Sequence, residues 1–182
     1  MTLDDLLKEL PPWAKDLRLN LQKLTAGGGA LDGTQLWGAL LASAVAARHD
    51  GLTRALAAAA EEHLDETSRS AALSAAALMS MNNVYYRALH LMGNEEYGRL
   101  PAGLRMTQLA GHGADPQAFE LWALAVSTVN GCGMCLDGHE RTLRSGGVRA
   151  EPVQEALKVG AVVAAVAVAL QGAQALATSP AA

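Results

Sequence analysis

Long stretches of Ala, Leu and Val, each closed by a short group of Gly, Pro, Asn or Asp, succeed one another along this chain. The apolar stretches predict helices, and the Gly, Pro and polar groups predict where they start and stop. Thr2 caps a first turn, with Asp4 and Asp5 near its positive end, and Pro11-Pro12 breaks the chain and starts a second helix running to about residue 24. After the flexible "TAGGGALDGT", Asp32 or Thr34 begins a third helix over 36–48. Ala-rich helices are expected over 50–62 and 65–79, another over 82–92 closed by Gly93-Asn94, and a mostly irregular crossing over 100–106. Asp115-Pro116 opens a helix to about residue 129, and Asn130-Gly131 turns the chain into the next, which Ser145-Gly146-Gly147 ends. A last long helix begins near Glu151-Pro152 and fades into a loose Ala/Ser/Pro tail over 176–182. The expected fold is all-α, a single compact domain over 1–182 with about eight to ten helices and no strand.

Composition agrees with that pattern. Of 182 residues 51% are apolar and only 4% aromatic, which favours closely packed helices around one sizeable core. The formal net charge of -4, with no cluster of basic residues, offers nothing to a phosphate backbone, so no nucleic-acid partner is expected. The opening "MTLDDLLKEL" is acidic and amphipathic, unlike a secretory signal, and the longest apolar run, 159–170, is too short to span a bilayer. A soluble cytoplasmic protein with no membrane partner is expected. In that reducing compartment a close cysteine pair reads as metal-binding or catalytic rather than as a structural disulfide.

An internal repeat is suggested by "MNNVYYRALHLMG" and "VNGCGMCLDGHE", which both follow an Ala-rich helix and both place Asn at the start of a new one, 48 positions apart. Only the second copy carries cysteines.

Both cysteines of the chain lie in "NGCGMCLDGHE", with a histidine four positions after the second. On a helix turning about 100° per residue, Cys132, Cys135 and His139 fall within roughly 60° of one another. The CxxC sits at the N-terminus of its helix, where unpaired N–H groups and the positive dipole end favour a thiolate. Such a placement beside a histidine lowers a cysteine pKa from about 8.5 to roughly 3.5–7.5, so an appreciable thiolate population is expected. The i, i+4 spacing puts His139 closest to Cys135, nominating Cys135 as the activated sulfur and Cys132 as the resolving one. Gly131 and Gly133 leave room for a bulky partner.

Three readings of this cluster compete: a redox dithiol, a zinc site, and two buried cysteines without chemistry. Zinc requires a fourth ligand, for which His112 and Glu120 are the candidates, and no second CxxC or HxxxH is present. Glu120, twelve residues before Cys132, can reach His139 if their helices pack antiparallel, and can then orient the imidazole. Otherwise it is a solvated surface charge. Trp122, Leu124 and Val126 are core material, His112 is a loop residue, and Tyr85, Tyr86 and Arg87 pack and pair. His49, His63 and His90 have no partner identifiable from sequence.

The arrangement Glu120, Cys132-Gly-Met-Cys135, His139 resembles the E…CxxCxxxH signature of the alkyl hydroperoxide reductase D family, within the carboxymuconolactone decarboxylase-like superfamily. The likeness extends through "LPPWAKDLRLNL", "LWGALLASAVAAR", "MNNVYYR", "GLRM", "FELWALAVSTVNGC" and "HERTLRSGGV", in order and spacing. It implies an all-α homotrimer acting as an antioxidant lipoyl-dependent peroxidase and as thiol reductant of the peroxiredoxin alkyl hydroperoxide reductase C. By the same resemblance Cys135 becomes the sulfenic acid or forms the mixed disulfide. Cys132 supplies a proton and closes the Cys132–Cys135 disulfide, and Glu120 with His139 forms a proton relay. Electrons come from dihydrolipoamide on a 2-oxoacid dehydrogenase acyltransferase, and ultimately from NADH through lipoamide dehydrogenase. Some members carry histidine between the cysteines, where this sequence has Met134, so that imidazole is missing from the thiolate's surroundings.

The chemistry suits the residues. Exchange requires a thiolate, a nearby resolving thiol and a proton donor, and peroxide takes the same thiolate to a sulfenic acid. No bound cofactor or metal is expected, since no Gly-rich nucleotide loop is present. Two other classes remain: a carboxymuconolactone decarboxylase-like lyase, whose activity would survive loss of both thiols, and a zinc-bound, non-catalytic interaction module, which would unfold on chelation.

Overall fold

The computed structural model describes residues 2–177, all of whose regular structure is helical. Ten α-helices follow in order: α1 (Leu3–Lys8), α2 (Lys15–Thr25), α3 (Gly33–Ala47), α4 (Asp50–Ala60), α5 (Glu66–Met92), α6 (Glu95–Arg99), α7 (Gln108–Gly111), α8 (Pro116–Asn130), α9 (Gly133–Ser145) and α10 (Ala150–Ala177). A single 3₁₀ turn at Pro12–Ala14 leads into α2.

Local cap chemistry fixes most of the starts. Thr2 and Asp5 form a reciprocal capping box on α1, and Asp32 with Gln35 does the same on α3. Asp65 accepts from Ser68 N–H at 2.7 Å to open α5, and Asp115 accepts from Ala118 N–H at 2.8 Å with Pro116 in the first turn of α8. His49 caps α4 by accepting from Leu52 N–H at 3.1 Å.

Helices α3 and α8 pack on each other, and each also packs against α5 and α10, so these four carry the core. Trp122 of α8 is fully buried among them and donates its indole N–H to the Gln35 carbonyl at 3.0 Å. Its ring lies on Gly38 of α3, where any Cβ would collide with the indole. That contact pins the central helix pair. By length and composition α10 is apolar enough to cross a membrane; here it packs against α2, α3 and α8 and buries Val159, Val163, Val166 and Leu170. The apolar run 159–170 is thus part of a longer helix. Of the expected tail over 176–182, Leu176 and Ala177 continue α10, and the rest lies outside the described residues.

Two expectations need correction. The helices expected over 65–79 and 82–92 are one helix, α5. No Gly or Pro interrupts it, and Asn82 and Asn83 are buried inside it rather than capping a new start. An asparagine breaks a helix when its side chain competes for local backbone, and that of Asn83 is engaged elsewhere, with Ser127 and Asn130 of α8. The suggested repeat falls with this: Asn82 is mid-helix, whereas its counterpart Asn130 is the last residue of α8. The short α6 and α7 were not anticipated either. Neither buries a residue, so neither leaves an apolar pattern to read.

Candidate functional site

Helix α8 ends at Gly131 in the left-handed conformation, φ 66°, where a side chain would be strained. The Thr128 carbonyl accepts from Gly131 N–H and the Ser127 carbonyl from Cys132 N–H, both at 3.2 Å, and the chain turns directly into α9. Cys132 occupies the N-cap of α9 and is fully buried, and Cys135 is half-buried one turn further on. Both thiols are free.

Helices α8 and α9 fold back on one another, which brings Glu120 to His139. Oε2 of Glu120 lies 2.7 Å from His139 Nδ1, with the two side chains 28% and 15% exposed, so Glu120 is no solvated surface charge. An ionised Glu120 accepts from Nδ1–H and leaves Nε2 as the basic nitrogen. Nε2 meets the Met79 sulfur of α5 at 3.2 Å. Both nitrogens of His139 are thus engaged, one by Glu120 and the other by Met79. All four groups share one cleft of about 350 Å³, which Cys135, His139, Glu120 and Met79 line together with Tyr86 and Met134. Met134, between the cysteines, is 46% exposed at its edge.

The expected thiolate is also corrected. Burial pushes the Cys135 thiol up to about 12, the Cys132 thiol beside it adds to the rise, and only the Asn83 amide acts in the opposite direction. The helix N-terminus is in place, but removing the sulfur from water outweighs it. Reduced Cys135 therefore rests as a neutral thiol.

Asn83 was missed by sequence reasoning. Fully buried in α5, it donates from Nδ2 to Ser127 Oγ at 2.9 Å and accepts at Oδ1 from Asn130 Nδ2 at 3.0 Å. Arg87, one turn on, donates to the Asn130 carbonyl. The available signal was an Asn-Asn pair in mid-sequence of an Ala-rich stretch.

The remaining candidates have structural roles. His112 stacks on Phe119 at 4.0 Å between centroids and accepts from Ala114 N–H. His63 stacks on Trp37, and Tyr85 meets Tyr86 edge-on. No three His, Cys, Asp or Glu side chains among the described residues form a group that could hold a metal ion, and Glu120, a candidate zinc ligand, is committed to His139.

Comparison with known proteins is consistent with this arrangement. The carboxymuconolactone decarboxylase family profile matches residues 95–178, the part of the chain that contains Glu120, both cysteines and His139. The chain is 51% identical to alkyl hydroperoxide reductase AhpD of Streptomyces coelicolor, over 93% of its own length and 95% of that protein's. It is 47% identical to the AhpD of Rhodospirillum centenum, over 97% of its own length and 94% of the relative. With the AhpD of Frankia alni the identity is 52%, over 94% and 92%.

Proposed function

The chain belongs to the alkyl hydroperoxide reductase AhpD family, and from that membership and the Cys135/His139/Glu120 cleft, with Cys132 buried at the N-cap of the same helix, we propose that it is an antioxidant thiol–disulfide oxidoreductase, a lipoyl-dependent peroxidase. The observation that carries this reading is the 2.7 Å Glu120–His139 pair lining the same cleft as Cys135. A carboxylate that holds Nδ1–H makes Nε2 a base, and a thiol raised by burial is one that needs a base.

The cycle balances on these side chains. His139, backed by Glu120, takes the Cys135 proton once Met79 yields its place on Nε2. The thiolate attacks the distal peroxide oxygen, the O–O bond breaks, and the alkoxide leaves with the proton as an alcohol. Cys135 is then a sulfenic acid. The Cys132 thiol displaces its hydroxyl as water and forms the Cys132–Cys135 disulfide. Dihydrolipoamide, protein-linked on an acyltransferase, attacks that disulfide and leaves as lipoamide, restoring both thiols. The same dithiol reduces the disulfide of the peroxiredoxin alkyl hydroperoxide reductase C through a mixed disulfide on Cys135. Lipoamide dehydrogenase returns the electrons from NADH. The reading includes a cytoplasmic homotrimer and no bound cofactor.

The test is NADH oxidation in a coupled assay with lipoamide dehydrogenase, lipoamide and a hydroperoxide, with and without the peroxiredoxin. Wild type turns over and Cys135→Ser is silent if the proposal holds. Equal turnover by both would place the redox chemistry outside Cys135, and no turnover by either defeats the redox reading.

A further inference from the structure

Asn83 is costly where it stands. Asparagine is a poorer helix former than alanine, and a buried carboxamide loses free energy unless its donors and acceptor all find partners. Buried positions two to three turns earlier in α5 are filled by alanine, at Ala71, Ala72, Ala75 and Ala76. At position 83 the helix instead carries a fully buried amide that reaches 44 residues along the chain to Ser127.

Its bonds converge beneath the cysteines. Ser127, whose hydroxyl accepts from Asn83, also gives its carbonyl to Cys132 N–H. Asn130, which donates to Asn83, is the last residue before the turn, and its carbonyl is held by Arg87. One face of α5 thus grips the α8–α9 turn at two successive points. The Asn83 amino group has two hydrogens, and Ser127 uses one. The other remains for a second acceptor, and Asn83 acts on Cys135 as a hydrogen-bonding side chain.

We propose that Asn83 is a positioning residue for the thiol chemistry: its carboxamide orients Cys135 and donates to that sulfur when it becomes a thiolate. This rests on the dithiol reading above. A thiolate formed in a half-buried site has lost much of its water, and a fixed amide N–H supplies part of what water would have given. The other titratable or charged groups around the sulfur are Cys132, His139 and Glu120, with Tyr86 across the cleft and Arg87 at the turn. Cys132 opposes the thiolate, and His139 and Glu120 act by moving the proton. Asn83 differs from these in donating a bond without titrating.

The test is alkylation of Cys135 by iodoacetamide across pH, followed by mass spectrometry, in wild type, Asn83→Ala and the isosteric Asn83→Asp, with thermal melts alongside. Alkylation uses no peroxide, lipoamide or peroxiredoxin, so its result is separate from that of the turnover assay. A bond to a charged acceptor is worth about tenfold or more in the thiolate equilibrium. Alkylation of Asn83→Ala at neutral pH is therefore expected to be about tenfold slower than wild type, with the profile displaced to higher pH, and Asn83→Asp slower still. Profiles that superimpose on wild type, with only the melts lowered, would overturn the proposal and leave Asn83 a packing residue. Should both variants misfold, a protein with Asn83 intact decides the matter. In otherwise unaltered protein, the Asn83 side-chain amide resonances shift and their protons exchange faster on Cys135→Ala if the proposal holds, and stay as in wild type if it does not.

Discussion

His139 binds Glu120 through Nδ1 at 2.7 Å while its other nitrogen rests on the Met79 sulfur at 3.2 Å, so the imidazole is oriented at both ends before any substrate arrives. The carboxylate sets which nitrogen is basic, and the thioether occupies that nitrogen without being able to take a proton from it. Under the proposed function the arrangement is a base held ready behind a soft, displaceable side chain.

Breaking the pair should remove proton transfer without removing the thiols. Peroxidase turnover of Glu120→Gln and His139→Ala is expected to fall by about 10² to 10⁴. Both cysteines should still titrate with a thiol reagent and still close a disulfide under a strong oxidant. Turnover within twofold of wild type in both variants would remove the relay from the mechanism.

The raised Cys135 thiol sets a direction with pH. Burial holds its value far above neutrality, at about 12. The thiolate fraction of the free enzyme therefore rises about tenfold per pH unit between roughly pH 6 and 9. Cys135 alkylation should climb over that range without a plateau. Saturation near neutral pH would mean that the helix N-terminus outweighs burial.

Removing the resolving thiol should expose the intermediate. In Cys132→Ser a single dose of hydroperoxide is expected to leave Cys135 as a sulfenic acid that dimedone captures, with no intramolecular disulfide, and excess peroxide should drive it to the sulfinic acid. Capture at Cys132 in the reciprocal Cys135→Ser variant, and none here, would reverse the roles.

Gly38→Ala tests the packing beneath the site. The added methyl has no room against the Trp122 indole. A loss of about 1–3 kcal/mol in denaturant unfolding is expected, with the helical circular dichroism unchanged. An unaltered midpoint would mean that α3 and α8 separate at little cost.

How much of this was legible in the sequence follows from how local each feature is. Asp32, Asp65 and Asp115 mark helix starts because a cap acts within three residues of itself. The Glu120–His139 contact could be foreseen because their helices are successive and the turn at Gly131 folds one onto the other. What could not be read depends on long-range packing. Met79 reaches His139 across 60 residues, and Asn83 reaches Ser127 across 44. No spacing rule spans such distances. The same packing reversed the thiol expectation: the dipole end of α9 is visible in a pattern of residues, while the burial of Cys135 arises only once α5 and α9 pack together.

The central claim is that a hydroperoxide closes the Cys132–Cys135 pair and that a dithiol reopens it. One measurement tests it most directly: intact and peptide mass spectrometry of the reduced protein after one equivalent of organic hydroperoxide, and again after dihydrolipoamide. The account predicts loss of two hydrogens, a peptide cross-linked between Cys132 and Cys135, and full return of both thiols on reduction. A protein that keeps both thiols through the peroxide step, or forms a disulfide that dihydrolipoamide leaves intact, would contradict it.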